Sequence, residues 1–229
     1  MNIEKDSRKY VAVNVWDWQT RVLHWSNVIL VITLLLLALS VDGMKLLGVE
    51  KPLRRPVKEI HAYIGYLFVF TLTLRIVWGF IGNRYARWLD IIPYKREQWQ
   101  AIGDDIKYFL SGFKKRPHVN IGHSPIASLL YIALFIVLIS QAVTGFALAG
   151  IEFGLFPGSL IFGGLGEGAK EALEDVFGEI HEFGLWFVLF FIFAHFSGLV
   201  TAEIGNKSGL LSSMIHGKKY FQEDKIMKI

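Results

Sequence analysis

Four apolar stretches dominate this 229-residue sequence, covering residues 21–41, 61–81, 126–151 and 181–202. Each is long enough, at about 20 residues, to cross a hydrocarbon core roughly 30 Å thick. Because the bilayer interior offers no hydrogen-bond partners, such segments satisfy their backbone groups internally, as helices do. The sequence therefore predicts an all-α integral membrane protein, a four-helix bundle that forms a single domain over residues 1–229.

The composition excludes several other classes of protein. Apolar residues make up 53% of the chain and aromatic residues 14%, which is too apolar for a soluble domain of this length. The absence of cysteine excludes disulfides, thiolate clusters and covalent haem attachment through a C-x-x-C-H motif. Since the basic residues lie in the loops of a membrane protein, we interpret them as topology signals and expect no nucleic-acid partner.

The distribution of lysine and arginine predicts the orientation of the chain. With both termini on one side, that side carries 17 of these residues and the opposite side carries 6. By the positive-inside rule, both termini and the second loop face the cytoplasm of a bacterium, with the chain in its inner membrane. The acidic third loop then faces the periplasm.

Two loops contain apolar residues at helical spacing. The second loop has such a stripe at Trp99, Ile102, Ile106 and Leu110. It predicts either a short amphipathic helix on the membrane surface or an ordinary loop helix. The third loop has a similar stripe, leading into the fourth span, at Ala169, Leu173, Phe177 and Ile180.

Histidines carry the chemistry of this sequence. Four of the seven lie in or at the edge of the apolar spans, namely His24, His61, His181 and His195. An ionisable group in a bilayer is costly and marks a functional site. The other three, His118, His123 and His216, fall in loops or at a helix entrance, where solvated or capping roles are the default. For His123, a place in a quinone pocket is the alternative.

The spacing of the four histidines predicts two pairs. His181 and His195 are 14 residues apart on one helix, which places them within about 40° of the same face and about 21 Å apart in depth. The alternating directions of the helices put His61 at the depth of His181 and His24 at the depth of His195. We call these the outer level and the inner level. Each pair comes from two helices, as axial ligation of one haem iron requires.

Haem fits this pattern better than a bare metal ion does. Gly65, Gly184 and Gly198 follow these histidines by one helical turn, and they provide clearance either for a porphyrin or for close helix packing. Imidazoles also bind zinc or copper, but two separated histidine pairs make poor tetrahedral sites. Haem supplies four equatorial nitrogens and needs only two axial ligands. The pattern therefore predicts two non-covalent b haems with His24, His61, His181 and His195 as iron ligands.

Arg75 is the remaining charge within a span, apart from Arg21 and Glu182 at the span ends. It lies 14 residues after His61 and so shares its helical face at the inner level. A guanidinium forms charge-assisted, bidentate bonds with carboxylates such as haem propionates. Two interpretations stay open: Arg75 binds the inner haem, or its side chain extends to the membrane interface.

Taken together, several segments resemble the bacterial transmembrane dihaem cytochrome b family. That family includes the b-561 type cytochromes and the cytochrome b subunits of nickel-iron hydrogenases and formate dehydrogenases. The matching segments are residues 16–17, 21–25, 61–65, 74–80, 122–125, 181–198 and 214–219. The resemblance implies bis-histidine ligation of two b haems, exchange with a quinone, and a periplasmic redox partner such as a c-type cytochrome or a hydrogenase-like enzyme.

The function expected from the sequence is electron transfer across the bilayer, as a subunit of an oxidoreductase complex. Electrons pass between the two irons while protein ligands and local polarity set the potentials. Two alternatives of a different class are a histidine-based transporter of metal ions or protons and a plain membrane anchor. A reduced-minus-oxidised spectrum of the purified protein separates the first function from the others.

Overall fold

The computed structural model describes residues 10–112, 121–206 and 208–223. The elements follow in the order β1 (Tyr10–Asn14), α1 (Trp18–Leu46), α2 (Lys51–Ile81), a 3₁₀ turn (Arg84–Ala86), α3 (Trp88–Ile91), α4 (Arg96–Leu110), α5 (Pro125–Phe153), α6 (Gly158–Phe162), α7 (Glu167–Asn206), α8 (Leu210–His216) and β2 (Lys218–Gln222). The predicted all-α membrane architecture is confirmed, with a small two-stranded sheet in addition.

Four helices are long and apolar enough to cross a membrane, as the sequence predicts. Helices α1 and α5 have 29 residues each, α2 has 31 and α7 has 40. At 1.5 Å per residue, even the shorter pair spans roughly 43 Å, which is more than the hydrocarbon core. Their ends therefore extend into the interfacial regions.

Two of these helices begin well before the predicted spans. Helix α2 starts at Lys51 and α7 at Glu167, whereas the apolar stretches begin at residues 61 and 181. Hydropathy marks only the part of a helix that fits the hydrocarbon, while backbone hydrogen bonding continues through polar residues with good helix propensity. The predicted stripe at residues 169–180 is therefore part of α7. His61 and His181 consequently lie inside their helices, away from the helix ends.

The chain forms two compact units. The larger unit contains residues 22–77 and 132–192, and all four long helices contribute to its core. Phe68, Leu72, Leu138 and Val188 are buried there, with α1 side chains such as Leu34 packed against them. Many large apolar side chains of the unit are more than half exposed instead, among them Leu36, Phe70, Ile136 and Phe190. A surface of this kind is suited to lipid.

The other unit contains the described residues 10–21, 78–131 and 193–223. Strands β1 and β2 pair antiparallel, with Tyr10 opposite Gln222 and Asn14 opposite Lys218. Next to this sheet the Val15 and Trp16 amides donate to the Gly217 carbonyl at 2.9 and 3.0 Å. Gly217 has a φ of 85°, and a Cβ there would lie 2.5 Å from the Trp16 carbonyl oxygen, so the position requires glycine.

Asp17 joins the start of α1 to the end of α2 within this unit. Its Oδ1 accepts a hydrogen bond from the Thr20 amide at 2.7 Å, which satisfies one of the free amides at the helix start. Its Oδ2 accepts from the Trp78 indole and from the Asn83 amide, both at 3.3 Å. Three donors therefore converge on one carboxylate.

Helix α4 confirms the helix predicted in the second loop. Of the predicted stripe, Ile102 is buried, while Trp99, Ile106 and Leu110 are exposed. The inward side also carries Asp105, which is buried and whose Oδ2 accepts a hydrogen bond from the Ile126 amide at the start of α5. The exposed apolar residues leave one side of α4 suited to the membrane surface.

Candidate functional site

His61 of α2 and His181 of α7 face each other in the larger unit. Their ring centroids are 6.1 Å apart, and the ring planes are inclined at 72°. A metal–imidazole bond is about 2.0 Å long and the ring centre lies roughly 1.1 Å beyond the nitrogen, so two axial imidazoles on one metal have centroids roughly 6 Å apart. The structure thus brings together the outer-level pair at a distance that a single iron can bridge.

A cavity of about 690 Å³ opens at this pair, within the range of cofactor pockets. All four long helices line it. One end has core residues, including Phe68, Leu138 and Val188, while the other end has charged residues from the outer turns of the helices, including Lys51, Arg54, Lys58, Glu174 and Glu179. A flat apolar ring with a polar edge matches this distribution.

Besides His61 at Nδ1, three polar side chains of the cavity have buried atoms without a hydrogen-bond partner among the described residues. They are Arg54 at Nε, Tyr66 at Oη and Gln141 at Nε2. Each such group costs roughly 1–3 kcal/mol when it stays unsatisfied. Three of them in one cavity indicate a ligand with polar atoms of its own.

The three glycines that follow the histidines, Gly65, Gly184 and Gly198, differ in how much space surrounds them. Gly65 lines the cavity, and a Cβ built there meets nothing within 4 Å, so it borders open space. At Gly184 a Cβ would lie 1.9 Å from Nε2 of Gln141, so this glycine serves close packing of α7 against α5. At Gly198 a Cβ again meets nothing within 4 Å. Of the three, Gly65 has the geometry expected for porphyrin clearance.

Thr144 determines which nitrogen of His181 is available to a ligand. The Thr144 hydroxyl donates to the Ser140 carbonyl at 2.8 Å, and its oxygen lies 2.8 Å from Nδ1 of His181. Since the hydroxyl proton is already used, the oxygen accepts from Nδ1–H, and Nε2 keeps a free lone pair. Metal-bound histidines commonly have such a partner. Sequence reasoning missed Thr144 because the residue lies on another helix, with no periodic relation to His181.

The inner-level residues lie in different units. His24 and Arg75 belong to the larger unit, where the Arg75 guanidinium lies 5.6 Å from the Phe135 ring centroid. His195 belongs to the other unit, where its ring centroid lies 6.2 Å from that of Tyr131. The pairing of His24 with His195 and the role of Arg75 stay predictions.

His123 has a more structured environment than a solvated loop histidine. Its Nδ1–H donates to Oδ2 of Asp90 at 3.3 Å, and its side chain is 14% exposed. Its ring centroid lies 5.0 Å from that of Trp16 and 5.2 Å from that of Tyr131. Since Tyr131 also contacts His195, a continuous series of rings leads from His123 to a predicted iron ligand.

Buried Lys219 supports the loop that carries His123. Its Nζ donates to the carbonyls of Ile121 and Gly122, both at 2.8 Å, and lies 5.1 Å from a Trp16 ring centroid. Burial lowers the pKa of Lys219 to about 8, while the Asp90 carboxylate acts in the opposite direction. Asp90 and Lys219 were not among the predicted site residues, although residues 214–219 carried part of the family resemblance.

His216 has a local structural role, with Nε2 3.0 Å from the Ser212 hydroxyl and Nδ1 accepting from the Lys218 amide. His118 lies outside the described residues. Among the residues that the structure describes, no group of three or more histidine, aspartate or glutamate side chains could hold a bare metal ion.

Four apolar helices around a cavity with a facing histidine pair define a membrane protein of the b-type cytochrome class. The family model described as prokaryotic cytochrome b561 matches residues 15–217. The chain therefore belongs to the prokaryotic cytochrome b561 family, as the sequence resemblance predicts. It is a bacterial membrane protein that binds haem b and acts in electron transfer.

Curated relatives cover nearly the whole chain. A probable Ni/Fe-hydrogenase B-type cytochrome subunit of Azotobacter vinelandii is 27% identical over 231 residues, which is 95% of this chain and 92% of the relative. The probable Ni/Fe-hydrogenase 1 B-type cytochrome subunit of Escherichia coli (strain K12) is 26% identical, and the match covers 98% of this chain and 97% of that relative. A probable Ni/Fe-hydrogenase B-type cytochrome subunit of Bradyrhizobium diazoefficiens is 27% identical, and the match covers 93% of this chain and 87% of that relative.

Proposed function

We propose that this chain holds two b haems, each between two histidines, and relays electrons between a periplasmic redox protein and the quinone pool. The observation that carries the proposal is the His61–His181 pair, with ring centroids 6.1 Å apart at a cavity with unsatisfied polar groups. His24 and His195 are the proposed ligands at the inner level, and Arg75 binds carboxylates there. Haem iron supplies the one-electron chemistry. The protein side chains orient the ring and exclude water.

The partner and the orientation are part of this proposal. The relatives are named as hydrogenase cytochrome subunits, which supports a hydrogenase-like enzyme as the redox partner. A c-type cytochrome is the other candidate. The 17-to-6 split of basic residues supports cytoplasmic termini, which puts the His61–His181 level near the periplasm. A reporter fused to the carboxyl terminus tests this orientation: activity of a periplasm-specific reporter contradicts it.

The test of the proposal is haem stoichiometry. We expect two non-covalent b haems per chain, extractable into acidic organic solvent, because four ligands form two pairs and the sequence has no cysteine. A pyridine haemochrome assay against protein concentration measures the number. One haem per chain, or none, contradicts the proposal.

Thr144 gives a second prediction, at the outer level. Replacing Thr144 with valine preserves the shape of the side chain but removes the acceptor of His181 Nδ1–H. A less electron-rich imidazole stabilises ferric iron less well, so the potential of the outer haem should rise. Retention of that haem should fall by roughly 10–100-fold, as is typical for such supporting groups.

Redox titration and haem release in detergent measure these two effects. Thr144→Ser is the matched control, since it keeps the hydroxyl and should behave like the unaltered protein. If the valine and serine variants have the same potential and the same haem retention, the hydrogen bond has no such role.

A further inference from the structure

Arg54 lies on the same side of α2 as His61. The two residues are seven positions apart, which is nearly two full turns, so their side chains are within about 20° of each other and about 10 Å apart along the axis. Both line the cavity. Arg54 lies toward the helix start, at the charged end of the cavity.

Two neighbouring cations of α2, Lys58 and Arg55, already have partners. Lys58 Nζ donates to both carboxylate oxygens of Glu152, at 2.9 and 3.0 Å. Arg55 donates to the Glu152 carbonyl at 3.4 Å, and its guanidinium lies 5.2 Å from the Phe153 ring centroid. Arg54 differs, because its buried Nε has no hydrogen-bond partner within the part of the chain that the structure describes. A buried guanidinium N–H without an acceptor is costly, and an anion in the cavity removes that cost.

We infer that Arg54 is a carboxylate-binding residue at the charged end of the cavity, and that its ligand is a carboxylate of the haem held by His61 and His181. The inference rests on the proposed haem site. The fixed fork of a guanidinium matches a carboxylate, and a charge-assisted pair is stronger than a neutral hydrogen bond. Acidic side chains also line the cavity, Glu174 and Glu179 among them, so a protein carboxylate is the competing partner.

The test compares Arg54→Gln with Arg55→Gln in the full chain. Both variants lose one positive charge from adjacent positions of α2, but only Arg54 lines the cavity. Loss of a cation beside a haem carboxylate favours the ferric form. At a fixed potential we therefore expect at least a fivefold lower ratio of reduced to oxidised outer haem in Arg54→Gln, or roughly 40 mV at 59 mV per tenfold change. The inner haem and the Arg55→Gln variant should shift much less.

Haem dimethyl ester identifies the partner of Arg54. Apoprotein of each variant is reconstituted with haem or with this ester, in which both carboxylates are blocked. The charge of Arg54 still acts on the iron through space in the ester-reconstituted protein, so the measured quantity here is haem retention in detergent. We expect the difference in haem retention between Arg54→Gln and the unaltered protein to disappear with the ester. A difference in retention that persists with the ester assigns Arg54 to a protein carboxylate and overturns the inference, as does a redox shift equal to that of Arg55→Gln.

Arg54→Lys keeps the test decisive if the glutamine variant does not fold. Lysine preserves the charge but not the fork, so its loss of haem retention should be smaller and should also vanish with the ester. A loss of retention that is the same with haem and with the ester overturns the inference here too. A low-spin spectrum with two haems in these variants shows that the histidine ligation is intact. The proposed haem site is then tested separately from the role of Arg54.

Discussion

Replacing His61 or His181 with alanine should remove one and the same haem of the two proposed, and the other haem should stay bound. The two rings lie 6.1 Å apart between centroids, on different helices, and we propose that each would supply one ligand to the same iron. Loss of either ligand opens the coordination sphere. We expect the haem content to fall from two per chain to one in both variants, with the same spectral component missing. Pyridine haemochrome assays and low-temperature reduced-minus-oxidised spectra measure this.

His24→Ala and His195→Ala should remove the other haem by the same reasoning. Arg75→Gln is the comparison variant at the inner level. Because Arg75 is proposed to contact carboxylates and not iron, both haems should stay bound, while the potential of the inner haem falls. Spectra in which the His24 and His181 variants lose the same haem contradict the pairing. An unchanged inner potential in Arg75→Gln favours an arginine that extends to the interface.

His123→Gln should slow electron exchange with quinone by about 100-fold while both haems keep their spectra. Reduction of a quinone consumes two electrons and two protons, and iron supplies only the electrons. His123 donates to Asp90 at 3.3 Å and contacts Tyr131, which contacts His195, so a proton carrier lies near the proposed inner ligand. A positioned general acid contributes typically 10²–10⁴-fold. We therefore propose that the His123–Asp90 pair delivers protons to the quinone.

Stopped-flow oxidation of the reduced haems by a soluble quinone measures the effect. Asp90→Asn should be slowed as well, because it removes the carboxylate that orients and charges His123. His216→Gln is the matched control, since that histidine belongs to the same unit and its contacts among the described residues are local ones to Ser212, Lys218 and Tyr220. Equal rates in His123→Gln and in the control contradict the role of His123.

The sequence alone determined the membrane architecture, and it predicted two levels for the histidines. Lipid selects for long apolar segments whatever their neighbours, so the four spans can be identified without knowledge of packing. Helix rise and rotation are fixed by the backbone, so 14 residues between His181 and His195 define two levels on one helix side. The same argument gave the pairing of His61 with His181 that the structure brings together.

Only the tertiary structure decided what surrounds these histidines. Thr144 contacts His181, which is 37 residues away in the sequence, and His123 contacts Asp90, which is 33 residues away. Strand β1 pairs with β2, from the opposite end of the chain. Periodicity reports the surroundings along one element and carries no information about which side chains of another element come into contact. The starts of α2 and α7 were not predicted for a related reason. Hydropathy identifies the residues in contact with lipid, whereas the ends of a helix are set by its backbone hydrogen bonds. The unsatisfied Arg54 became visible only once packing had assigned partners to Lys58 and Arg55.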